Sequence, residues 1–179
     1  MQRLSRLHKP GWLTVARVWD ALAVAVLVAA AWKVFVAPRV LHASDAQTAP
    51  RVVLATLAGP EFSLAKERGR VVFLDFFASW CEPCKASLPL VERYAQMHPQ
   101  AIVIPVDVGE PRAIAAPFAR AFHLKGVALD PEMLAAHWFG IDGFPTMVVI
   151  DPQGRIRATW PGLNPAIAFN MARAESSVR

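Results

Sequence analysis

Cys81 and Cys84 are the only cysteines among the 179 residues, and they stand three apart in the run Trp80-Cys81-Glu82-Pro83-Cys84-Lys85. A bridge between them closes so short a loop that it removes little entropy from the unfolded chain, which makes it a poor structural staple. The spacing suits a bond that is made and broken. If the pair opens a helix, Cys81 sits where unpaired backbone N–H groups and the macrodipole favour a thiolate, and it is the sulfur placed to attack. Cys84, one turn on, lies on the same face and can resolve the mixed disulfide. Pro83 fits a first turn, where its missing N–H costs no hydrogen bond. The competing use of two thiols is half a zinc site. Zinc takes four ligands, and His98, His123 and His137 follow at spacings that form no signature. The pair therefore points to thiol–disulfide exchange, with no metal and no cofactor beyond a redox-active disulfide.

Such chemistry needs a strand to deliver the pair and a helix to hold it. Residues 71–77, Val-Val-Phe-Leu-Asp-Phe-Phe, are a continuous apolar run, the pattern of a strand covered on both faces. A helical pattern follows over residues 82–97, with Leu88, Val91, Tyr94 and Ala95 on one stripe. Upstream, residues 51–57 and 61–64 predict a hairpin turning at Gly59-Pro60. Downstream, residues 101–106 read as the next buried strand. Residues 111–122 read as a helix with Pro111 at its start and a kink at Pro117. Asp130-Pro131-Glu132 opens a further helix, with Asp130 as N-cap, running to Phe139. Residues 146–150 form a strand, Asp151-Pro152-Gln153-Gly154 a turn, and residues 155–160 pair back. Asn164 caps a last helix ending near Glu175. This order predicts an α/β sandwich on a mixed sheet.

Charge separates this domain, residues 51–175, from what precedes it. Residues 1–42 hold six basic side chains (Arg3, Arg6, Lys9, Arg17, Lys33, Arg39) against one acid, Asp20, whereas residues 43–179 hold thirteen of each sign. The basic excess therefore lies off the folded part, which excludes a nucleic-acid-binding domain. Residues 21–38 carry one charge in eighteen positions, enough for a helix of about 27 Å, close to a hydrocarbon core. Trp19 and Trp32 bracket its centre, and the preceding basic residues keep the N-terminus in the cytoplasm. The organisation expected is a basic cytoplasmic segment (residues 1–20), a single-pass transmembrane anchor (21–38), a polar linker (39–50) and an exported, periplasmic or otherwise extracytoplasmic domain. A cleaved signal peptide is the alternative: the uncharged run 21–32 suits its core, with small residues near Ser44 as the cleavage site.

The run from Phe76 to Lys85, with Gly143-Phe144-Pro145-Thr146 further on, resembles the thioredoxin superfamily, and within it the membrane-anchored, exported ResA/TlpA-like branch. The hairpin, the insert between Val106 and Gly140 and the turn at 151–154 share that resemblance, which spans residues 50–175. It implies a thioredoxin fold with an N-terminal β-hairpin and a central helical insert, Cys81 as nucleophile and Cys84 as resolving thiol. It also implies a cis Pro145 facing the sulfurs, where base rates alone favour trans. Asp75, six residues before Cys81, falls where thioredoxins carry a buried acid that relays a proton to the resolving cysteine. Desolvation raises the pKa of such a carboxyl towards neutrality, which suits a base. Trp80, Phe144, Glu82 and Pro83 form the implied docking surface, where an extended substrate adds as a strand. The implied partners are protein thiols and disulfides and a membrane electron donor at the inner membrane. Ser87 departs from the pattern, since members serving cytochrome c maturation carry a glutamate three residues after the second cysteine. Metallochaperones of this fold place three residues between their cysteines, which argues against metal handling here. A negative charge at Glu82 disfavours the Cys81 thiolate, so a reductase is expected over a disulfide-donating oxidase.

Overall fold

The computed structural model describes residues 12–31 and 44–178. Its contacts divide the chain into two units, residues 1–37 and residues 38–179. Among the described residues the first holds helix α1 (Trp12–Ala31), which begins inside the segment expected to precede the anchor. Side chains 17–30 are all exposed, Val24, Val26, Leu27 and Val28 among them. Residues 32–38 of the predicted anchor lie outside the described residues, and among those described no helix is long and apolar enough to cross a membrane.

The second unit contains strands β1 (Gln47–Thr48), β2 (Val53–Leu54), β3 (Phe62–Ser63), β4 (Val72–Phe77), β5 (Ile102–Val108), β6 (Ala128–Asp130), β7 (Thr146–Ile150) and β8 (Arg155–Pro161). Its helices are α2 (Glu82–Met97), α3 (Arg112–Ala121), α4 (Leu134–Trp138) and α5 (Ile167–Val178). Six strands form one mixed sheet in the order β1-β8-β7-β4-β5-β6. Strand β4 lies inside it, parallel to β5 and antiparallel to β7. All of β4 is buried, as its apolar run requires. Val72, Leu74 and Phe76 join a core with Phe62 of the hairpin and Ala135 and Phe139 at α4. Phe73 joins a second core with Val91 and Tyr94 of α2 and Met171 of α5. Each large apolar side chain so buried contributes about 1.5–3 kcal/mol, which fixes the strand that leads into Cys81. At its end a third cluster gathers Phe77, Cys81, Cys84, Leu88, Ala119 and Val127.

Three expectations need correction. Asp130 ends strand β6, which the sequence reading missed; it is not the residue adjoining the helix. That residue is Met133, in the left-handed region at φ 58°. Asp130 nevertheless caps α4 from upstream, because its carboxylate accepts the Ala135 and Ala136 N–H groups at 3.1 and 2.8 Å. Second, the predicted linker 39–50 donates two residues to the sheet. Gln47 and Thr48 pair with Ile156 and Arg155 of β8, and the Ala49 N–H donates to Gly154 O at 3.0 Å. Third, α5 runs past Glu175 to Val178, whose side chain is buried in the second core. The hairpin stands where expected, as the antiparallel pair β2–β3. It is fastened to the sheet edge by Leu57 N–H to Val127 O (2.9 Å) and Leu129 N–H to Ala55 O (2.8 Å), which covers the open side of β6.

Candidate active site

Strand β4 passes through buried Ala78 into a turn closed by the Cys81 N–H on Ala78 O at 3.1 Å. Cys81 is the N-cap of α2, and its Sγ accepts the Cys84 N–H at 3.2 Å. The unpaired donors of a helix start thus point at the first sulfur, the arrangement that stabilises a thiolate. The two cysteines are joined by a disulfide with an S–S distance of 2.08 Å. Cys84 is 0% exposed and Cys81 4%, so Cys81 alone presents any surface to an incoming sulfur.

Phe144 and Pro145 meet the site from the loop before β7. The bond between them is cis. Phe144 packs against the cluster that holds both cysteines and stands 5.9 Å from the Trp80 ring, edge to face. Trp80 is 67% exposed. An exposed indole beside a half-buried phenyl ring makes an apolar lip next to the disulfide. Glu82 and Pro83 open α2 on the exposed side, and Glu82 is ion-paired with Lys85 one turn on.

Asp75 lies on β4, buried, with no hydrogen-bond partner for Oδ2. Desolvation pushes its carboxyl up to about 7. With Ser87, Pro145, Met147 and Trp160 it lines a cavity of about 10 Å³, room for a single water. Ser87 in turn donates its hydroxyl to the Cys84 carbonyl at 3.2 Å. The fold therefore brings the acid, the serine and the proline to one void beside the second cysteine's helix turn.

Residues that the motif reading did not single out complete the site. Glu110, just past β5, accepts the Ser79 N–H on Oε2 and the Ser79 hydroxyl on Oε1, both at 2.6 Å. Asp107 of β5 is fully buried opposite Phe77, with no donor on either oxygen. Burial and the adjacent Glu110 push it up to about 7. The signal was an acid inside the apolar strand Ile-Val-Ile-Pro-Val-Asp-Val, the same pattern that marks Asp75. Among the described residues, no three His, Cys, Asp or Glu side chains gather to hold a metal ion.

A family model of the thioredoxin-like domain matches residues 59–172. The chain belongs to this family. Among curated relatives, it is 34% identical over 113 residues to the thiol-disulfide oxidoreductase ResA of Geobacillus thermodenitrificans (strain NG80-2), covering 62% of this chain and 65% of that protein. Against ResA of Bacillus subtilis (strain 168) the identity is 29% over 116 residues, 63% of this chain and 65% of the relative. The chain thus spans about 65% of the length of the curated relatives it matches. Among solved structures, a Chlorobium tepidum protein provisionally named thiol:disulfide interchange protein DsbE superposes with a TM-score of 0.69 at 26% identity, covering 74% of this chain and 96% of that one. This thioredoxin-like domain has the mixed sheet, the hairpin and the helical insert that its resemblance implied.

Proposed function

We propose that this chain is an exported protein thiol–disulfide oxidoreductase, tethered to the cytoplasmic membrane by residues 21–38, that works as a reductase on the outer side. The observation that carries the chemistry is the Cys81 sulfur capping its own helix, with Cys84 bonded behind it. In the reduced protein the Cys81 thiolate attacks a substrate disulfide, forms a mixed disulfide and releases one substrate thiolate. Cys84 loses its proton to Asp75 and attacks the Cys81 sulfur. The second substrate thiolate leaves, the Cys81–Cys84 bond forms, and two electrons have passed to the substrate. The disulfide is then reduced again by a membrane electron donor. Trp80 and Phe144 give an extended substrate an apolar seat, and its backbone lies along the segment preceding β7.

Export and tethering rest on the charge asymmetry about residues 21–38 and on the all-round apolar, exposed character of α1 between residues 21 and 30, which suits a helix whose surround is not water. A trapping experiment tests the exchange. Cys84→Ala leaves Cys81 held in mixed disulfides with extracytoplasmic proteins, released by a reductant, and Cys81→Ser leaves none. Equal recovery from both variants would overturn the assignment.

A further inference from the structure

The turn from β4 to α2 is closed by the Cys81 N–H on Ala78 O, and the Ser79 N–H inside that turn goes to a side chain. Glu110 takes it, together with the Ser79 hydroxyl, so both Glu110 oxygens are engaged within two residues of the nucleophile. Asp107, three residues earlier on β5, is buried and without a hydrogen-bond partner on either oxygen. Neither carboxylate takes part in a salt bridge among the described residues. Burial and Glu110 together hold the Asp107 proton up to about pH 7.

We propose that Glu110 is a positioning residue for Cys81: it clasps Ser79 through two hydrogen bonds and so fixes the turn that delivers the nucleophile. The proposal rests on the reading of Cys81 as the attacking thiol. It assigns to residues outside the cysteine motif the work of fixing where the nucleophile stands, which the rate of exchange depends on.

The test uses the full chain, reduced, and the second-order rate constant of its reaction with oxidised glutathione. Ser79→Ala and Glu110→Ala are each expected to slow the reaction by roughly tenfold, within what a misplacement of about an ångström costs. The double variant should be no slower than Glu110→Ala alone, because Ser79→Ala removes one of the two bonds that Glu110→Ala already removes. Glu110→Gln keeps an acceptor for Ser79 and should recover most of the rate. Thermal unfolding is followed in parallel, and Ser79→Ala, which keeps the backbone half of the clasp, remains informative if Glu110→Ala fails to fold. Wild-type rates in Ser79→Ala, or strict additivity in the double variant, would overturn the proposal. So would a Glu110→Gln as slow as Glu110→Ala, which would assign the effect to charge. A wild-type chain reacting no faster than a simple free thiol would instead fail the functional reading.

Discussion

Asp75 is a carboxyl inside an apolar strand, and burial alone carries it from 3.8 to about 7. The folded state therefore binds this proton more tightly than the unfolded chain does. By linkage, the stability Asp75 contributes is fully present below about pH 4, is lost as pH rises towards about 7, and is flat above that. The effect is on the order of a few kcal/mol. Asp75→Asn should remove its part of that slope and raise stability at pH 8 relative to wild type, measured by urea unfolding at pH 5 and pH 8. A slope identical to wild type would mean the carboxyl does not hold its proton. On the proposed mechanism, in which Asp75 takes the Cys84 proton, the same variant should slow reduction of a protein disulfide at pH 7 by about tenfold or more. Unchanged rates across a pH series would return Asp75 to a purely structural place.

The elements hold the site through contacts that cross between them. Helix α4 has only five residues, and its N-cap residue Met133 makes no side-chain cap bond; its start is anchored by the two hydrogen bonds from its N–H groups to Asp130 of β6. Bonds to a buried carboxylate are the strong kind, so Asp130→Ala should cost about 2–4 kcal/mol, read as a lower urea midpoint. Asp130→Asn, which keeps one acceptor, should fall between. An Ala variant as stable as wild type would show that α4 is held by its apolar face alone. On the other side of the sheet, Arg112 of α3 donates to the Thr56 and Leu57 carbonyls at 2.6 and 2.9 Å. This ties the helical insert to the chain that follows β2, so hairpin, insert and sheet edge support one another.

At the scale of the whole molecule, the direction of electron flow depends on the potential of the disulfide. On the proposed reading, the negative charge of Glu82 beside Cys81 works against a thiolate there and so towards a lower potential. Lys85 is paired with Glu82 and offsets part of that charge; the pair is largely exposed, so the remainder is screened rather than abolished. Equilibration of the chain with a glutathione buffer should give a potential nearer the about −270 mV of thioredoxin than the about −120 mV of DsbA. A value near the latter would make the protein an oxidase. Residues 21–38 predict that fractionation recovers the protein intact with the membrane. A shortened soluble form with a new N-terminus near Ser44 would instead establish cleavage.

The sequence by itself determined the cysteine pair, the strand and helix that carry it, and the acid six residues upstream. Those features are local: an apolar run, a helical stripe and a cysteine spacing are each complete within a few turns of chain. Strand β4, helix α2 and strand β7 accordingly stand within a residue of their expected bounds. What the tertiary structure decided depends on partners far along the chain. Strand β1 is two residues of polar chain that become a strand only because β8 offers an edge. Asp130 caps a helix it does not adjoin, because Met133 adopts a conformation that non-glycine residues seldom take. Glu110 meets Ser79 across 31 positions, and nothing near either residue announces the other. A buried polar group must find its partner somewhere, and only the packed sheet brings β4 and β5 close enough to make that partner Ser79.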